Sequence, residues 1–316
     1  MIRHLWVYSK LVITRRQLLS RSVQIGGGLA MRSALAARVS QMRFGFMTYQ
    51  WGIDWDVPTL IANCTKAEAY AVELRTSAHY AHGVELTLSS EDRREVRKKF
   101  ADSPVQIIGV ASAERFDSPD PDRLAKAIEI VKGHVKLSQN VGGHGVRVFP
   151  NDYHADVPKE KTLAQISQAL NIVGKFAADY GQRIRLENHG SAGGLLSLRK
   201  IMDAVNQKNV AIKLNGESVD APDFAQRFAA VKPFLDDTLH FHELDRRNFP
   251  YQLQSDLLVD AGWDGWWLLE ASSKPPDRVQ AMIEQRGMWE RIVAKSLARP
   301  INHAVDRGRP WHGVEA

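Results

Sequence analysis

From residue 42 onward the chain repeats one pattern eight times: a short apolar or β-branched run, then a longer stretch with helical periodicity. The runs fall at 44–49, 71–75, 105–111, 145–149, 184–187, 210–214, 239–242 and 266–270. The helical stretches span 56–67, 90–101, 121–137, 159–180, 195–207, 222–231, 251–261 and 276–298. Short apolar runs between turn residues read as strands buried on both faces, and the longer stretches read as amphipathic helices. The start and stop signals agree. Ser90-Glu91-Asp92 places acidic residues at the positive end of a helix dipole. Pro121 and Pro222 stand where a first-turn proline is tolerated, and Gly181 and Gly262 where a helix should stop. Eight strand–helix units without a hairpin signal predict a parallel sheet closed into a (β/α)8 TIM barrel over residues 41–300, with a polar tail at 301–316. An open doubly wound sheet is the alternative. It lacks support, because no phosphate-cradling loop follows the first strand, and Gly142-Gly143-His144-Gly145 precedes a strand instead.

In such a barrel the chemistry sits at the C-terminal ends of the strands. The last four runs end on polar residues. They read Arg185-Leu186-Glu187-Asn188-His189, Lys213-Leu214-Asn215-Gly216-Glu217, His240-Phe241-His242-Glu243 and Leu268-Leu269-Glu270-Ala271. Glu187, Asn215, His242 and Glu270 are 28, 27 and 28 residues apart, one strand–helix unit each time. Equal spacing predicts that the four stand at matching heights and point at one spot above the barrel axis. Two carboxylates, an amide and an imidazole form a mostly oxygen donor set. It suits a divalent ion, Mn²⁺ or Mg²⁺ first, with Co²⁺ or Zn²⁺ also accommodated. The competing reading of any one of these residues is that it satisfies loop amides.

These residues resemble the xylose-isomerase-like barrel superfamily of sugar isomerases and epimerases. The resemblance runs over about residues 43–298. It rests on Val72-Glu73-Leu74-Arg75, Leu186-Glu187-Asn188-His189, His240-Phe241-His242 and Leu269-Glu270-Ala271 in chain order. It implies metal-binding carboxylates at Glu187 and Glu270 and a ligating imidazole at His242. The sixth-strand ligand of the family is usually aspartate and is Asn215 here. A histidine often stands three residues later, and Ser218 stands there instead. Asparagine removes one negative charge, which leaves a weaker metal site, a site using Glu217, or a metal-free pocket. The weaker site ranks first.

The resemblance further implies catalysis by Glu187 and Glu270: proton abstraction next to a carbonyl, through a metal-stabilised enediolate. Proton return to the opposite face gives epimerisation, and return to the neighbouring carbon gives isomerisation. Loss of a β-substituent makes a keto-sugar or glycoside lyase or dehydratase the alternative. A carbohydrate-binding barrel without catalysis is a third reading. His189, Arg147, Arg246 and Trp51 are candidates for substrate contact. Glu73 and Arg75 are expected to pair with each other inside the barrel, and Trp266 and Trp267 to pack in the core.

Composition bears on partners. The net charge is +6, but residues 1–40 hold seven basic residues and no acidic one, so the rest of the chain is close to neutral. That balance excludes a phosphate-tracking surface, and with it nucleic acid as a partner; a small-molecule carbohydrate is expected instead. Cys64 is the one cysteine, which excludes an intramolecular disulfide framework and a multi-cysteine zinc site. No apolar run approaches a membrane span. Arg15-Arg16 followed by Leu18-Leu19, a weakly apolar stretch at 23–31 and Ala34-Leu35-Ala36 make residues 1–40 look like a twin-arginine export signal, hence a periplasmic protein.

Overall fold

The computed structural model of the protein describes residues 40–76, 79–216, 220–245 and 249–300. The export-signal reading, but for Ser40, lies outside these residues, as do Glu217, Ser218, Arg246 and the 301–316 tail.

Eight parallel strands close into a barrel in chain order. They are β1 (Arg43–Met47), β2 (Ala71–Arg75), β3 (Gln106–Arg115), β4 (Gly145–Phe149), β5 (Arg183–Glu187), β6 (Val210–Leu214), β7 (Leu235–Phe241) and β8 (Trp266–Leu269). Closure is made by β1 on β8, with Phe44 opposite Trp267 and Phe46 opposite Leu269. The helices between them are α1 (Val57–Lys66), α2 (Ser90–Ala101), α3 (Pro121–Val141), α4 (Lys159–Ala178), α5 (Leu195–Asp203), α6 (Phe224–Val231), α7 (Tyr251–Ala261) and α8 (Arg278–Leu297). Local chemistry sets their ends. The Asp120 carboxylate accepts from the backbone amides of Asp122 and Arg123 ahead of Pro121. The same helix stops on Gly142, whose φ of 92° is the left-handed conformation a glycine adopts without strain. None of the helices among the described residues is long and apolar enough to cross a membrane.

The strands differ from the sequence reading at two places. β3 runs on to Arg115, and β7 begins at Leu235, four residues earlier than its apolar run. The start of β7 was obscured by Asp236 and Asp237, whose charge hides a strand. Both aspartates are satisfied inside the fold. Arg185 donates to Asp236 at 2.6 Å and to Asp237 at 3.2 Å, and Arg183 reaches both at 3.0 and 3.1 Å.

Most apolar side chains fill the shell between sheet and helices, including Leu60, Val131, Ile166, Leu198, Phe241 and Trp267. The barrel interior has a smaller apolar cluster of Met47, Ala71, Ile108, Ala111, Trp266 and Leu268. The rest of the interior is charged: Glu73, Arg147, Arg185, Lys213 and His240 are all fully buried. Room for Arg185 comes from two glycines. A Cβ on Gly109 would lie 2.6 Å from its Nη1, and one on Gly145 would lie 2.7 Å from it.

Candidate active site

At the C-terminal mouth, Glu187 ends β5 and Glu270 directly follows β8. Asn215, directly after β6, holds the two acids together. Its Nδ2 donates to Glu187 Oε1 at 2.8 Å and to Glu270 Oε2 at 3.2 Å. Asn215 is itself held by Asn188, which donates to the Asn215 carbonyl at 3.0 Å and accepts from its amide. The three side chains are buried. The structure thus brings Glu187, Asn215 and Glu270 to one place.

The imidazole at that place is His240, where the spacing had suggested His242. Nδ1 of His240 lies 3.0 Å from Glu187 Oε2 and 3.3 Å from Glu270 Oε2. His242 is half-buried, with its Nδ1 3.0 Å from the Glu270 main-chain oxygen and its amide donating to the Tyr251 hydroxyl at 2.9 Å. The reason is a register irregularity between β6 and β7. Ile212 is partnered with Leu235, but Leu214 with Leu239, so β7 carries two extra residues across that interval. The next residues along, Asn215 and His240, then stand side by side, and His242 lies beyond the strand end. An even count along the chain cannot detect a bulge.

Beneath the acids lies a buried charge chain. His240 Nε2 is 2.5 Å from Glu73 Oε2, and Lys213 Nζ is 2.8 Å from Glu73 Oε1. Glu73 therefore does not pair with Arg75, as expected from the sequence. Arg75 stands 3.9 Å from Glu270 Oε1, with its guanidinium over the Tyr49 ring at 5.0 Å. Lys213 and His240 were both within the quoted strand motifs. Strand alternation was the signal for Lys213, since it lies two residues before Asn215 and so faces the same way.

The electrostatics follow from this packing. Burial by itself raises a carboxyl pKa, but Arg147 and His240 outweigh it at Glu187 and hold that group well below the usual range. Glu270 is also lowered, with burial opposed chiefly by His240. Glu73 is held well below its ordinary value because Lys213 and His240 overcome its burial. Burial and Lys213 push His240 down, but Glu187, Glu73 and Glu270 raise it further, to about 10.

The other candidates separate. Arg147 is fully buried, with Nη1 3.5 Å from Glu187 Oε2 and its guanidinium over Phe149 at 4.0 Å. His189 is exposed and its ring packs against Phe149 at 4.5 Å. Trp51 offers no open face for a sugar ring: it is 2% exposed and its indole donates to the Ser273 carbonyl at 2.8 Å. Trp266 and Trp267 are buried as core residues. Arg246 lies outside the described residues.

The residues present fit a divalent ion. Glu187, His240 and Glu270 offer ligand atoms that all lie within 4.8 Å of one another. Glu187 Oε2, Asn215 Oδ1 and His240 Nδ1 are buried without a hydrogen-bond partner among the described residues. The second ring nitrogen of His240 faces a carboxylate, the arrangement that orients metal-ligating histidines.

The fold and this cluster define a barrel with paired acids at its mouth. The family described as "xylose isomerase-like TIM barrel" matches residues 61–215, just under half of the chain. No curated protein matches the chain. Among similar solved structures is 3-keto-D-glucoside 4-epimerase from E. coli, at 13% identity and a TM-score of 0.65, covering 79% of this chain and 99% of that one. D-allulose 3-epimerase from Methylomonas sp. in complex with D-allulose is 16% identical, with a TM-score of 0.65 over 81% of this chain and 98% of that one. The protein IolI, with a bound zinc atom, is 15% identical, with a TM-score of 0.64 over 82% of this chain and all of that one. At these identities the likeness is one of fold.

Proposed function

We propose that the protein is a sugar isomerase or epimerase that moves a proton on the carbon next to a carbonyl. The observation that carries this reading is the pair of buried carboxylates, Glu187 and Glu270, tied by one amide at the barrel mouth. Two similar folds being sugar epimerases, one with D-allulose bound, supports the substrate class.

In this reading Glu187 is the base. Its Oε2, which lies 3.0 Å from His240 Nδ1 and 3.5 Å from Arg147 Nη1, is the oxygen that takes the proton. The C–H electron pair moves into the carbonyl, and the substrate becomes an enediolate. His240 stands beside the base, where its positive charge stabilises the new oxyanion. Glu270 takes up a proton from water and delivers it to the other face of the same carbon for epimerisation or to the neighbouring carbon for isomerisation, and Glu187 releases its own proton to water, which restores both carboxylates. Asn215 keeps the acids at fixed separation, and Glu73 holds the His240 ring through Nε2. A divalent ion held by Glu187, His240 and Glu270, with Asn215 turned to offer its oxygen, would supply Lewis-acid stabilisation of the substrate oxygens. A carbon acid next to a carbonyl is too weak for any carboxylate to ionise unassisted, so the developing oxyanion needs electrophilic help.

The test is solvent deuterium incorporation into a panel of ketoses and 3-keto-glycosides, followed by NMR. Exchange is expected at the carbon next to the carbonyl. Glu187→Gln should lower it by roughly 10²–10⁴-fold with the fold intact by circular dichroism. Exchange at the wild-type rate in this variant would mean the base has been misassigned. The reading of residues 1–40 as a twin-arginine signal is a further part of the proposal and rests on Arg15-Arg16 and Ala34-Leu35-Ala36.

A further inference from the structure

The upper barrel is not the acidic pocket that its carboxylates alone would make. Glu73, Glu187 and Glu270 bring three negative charges into the upper barrel. Lys213 and Arg147 are fully buried among them, and Arg75 stands at the rim beside Glu270. These three cations balance the three acids, so the acids do not close the site to an anion.

The second observation is Arg147 itself. Its side chain is 0% exposed, and none of Nε, Nη1 and Nη2 makes a hydrogen bond among the described residues. Glu187 Oε2 is 3.5 Å from Nη1, an ion-pair distance but not a bonded one. All five N–H donors are thus unspent, and a buried unsatisfied guanidinium is costly unless a ligand completes it. Arg75 presents a second guanidinium from the neighbouring side, stacked on Tyr49 and 21% exposed. Each acid at the mouth thus has a guanidinium beside it: Arg147 of β4 next to Glu187 of β5, and Arg75 of β2 next to Glu270 after β8.

We propose that the natural substrate is an anion, a sugar or keto acid whose carboxylate or phosphoryl oxygens are received by Arg147 and Arg75 while the reacting carbon faces Glu187 and Glu270. The planar donor fork of arginine suits either group. This deepens the proton-transfer reading and rests on it for where the reacting carbon lies.

The experiment is calorimetry on the full chain with D-fructose, D-fructuronate and D-fructose 6-phosphate, with deuterium exchange followed in parallel. At least one anion should bind about tenfold or more tightly than fructose, an advantage that shrinks as salt rises. Which anion wins tells carboxylate from phosphoryl. The advantage should fall to within about twofold in Arg147→Met and in Arg75→Gln, where the rim position of Arg75 leaves the fold undisturbed if Arg147→Met does not fold. Equal or tighter binding of fructose, no binding of either anion at millimolar concentration, or an advantage that survives Arg75→Gln overturns the inference. The two proposals fail separately. Fructose exchanging as fast as the anions removes the charge preference and leaves proton transfer standing. An anion that binds tightly, loses that binding in Arg75→Gln and shows no exchange upholds the anion site and removes the proton-transfer reading.

Discussion

At the residue scale, Asn215 decides how the two acids coexist. Glu187 and Glu270 would repel each other in a buried site, and the Asn215 amide offers one donor atom to both. Aspartate at this position would put a third carboxylate where that donor now stands. Asn215→Asp should therefore lower the melting temperature of metal-free protein and tighten Mn²⁺ binding, read by thermal shift with and without the ion. Weaker Mn²⁺ binding in the variant would show that Asn215 does not face the ion. The same scale explains what could be read in advance. The two acids were legible because each stands at the C-terminal end of a strand-like run, a whole number of strand–helix units apart. The identity of the imidazole was not, because His240 in β7 and His242 just past its end are two residues apart, and alternation alone gives both the same face.

At the element scale, the barrel depends on strands that leave space for charge. Gly109 on β3 sits where a Cβ would lie 2.4 Å from the Gly145 carbonyl oxygen and 2.6 Å from Arg185. Neither neighbour can yield: one is backbone, the other is locked by Asp236 and Asp237. Gly109→Ala should cost about 3 kcal/mol, the upper end of ordinary overpacking, in urea unfolding. A cost below about 1 kcal/mol would show that Arg185 has another place to go. The element order was legible from alternating periodicity and from start and stop signals such as Pro121 and Gly262. The start of β7 was not, since Asp236 and Asp237 read as a turn until Arg183 and Arg185 from β5 are placed against them.

At the scale of the whole molecule, buried neutral histidines link stability to pH. His134 in α3 lies with Nδ1 3.0 Å from the Ile130 carbonyl and Nε2 2.9 Å from the Thr76 hydroxyl. Burial lowers its pKa to about 4, from 6.5. The unfolded chain therefore binds the proton first as the solution is acidified. This stabilisation is complete above pH 6.5 and is lost as pH falls from 6.5 toward 4, a contribution on the order of 1–3 kcal/mol. His134→Gln should flatten the stability–pH curve in that window, measured by urea unfolding at several pH values; an unchanged slope would count against it. Export is tested separately: residues 1–40 fused to a folded reporter should direct it out of the cytoplasm, and paired Arg15→Lys and Arg16→Lys should stop it. Export that persists in the double variant would remove the twin-arginine reading.

The amino-acid sequence alone determined the eight-unit barrel and the acids at the ends of its fifth and eighth strands, because periodicity and strand alternation are local properties of the chain. Only the tertiary structure decided which charges meet. Glu73 finds Lys213 across 140 residues and His240 across 167. Those partners are chosen by barrel closure and by the β6–β7 register, and neither leaves a trace in the spacing of residues along the chain.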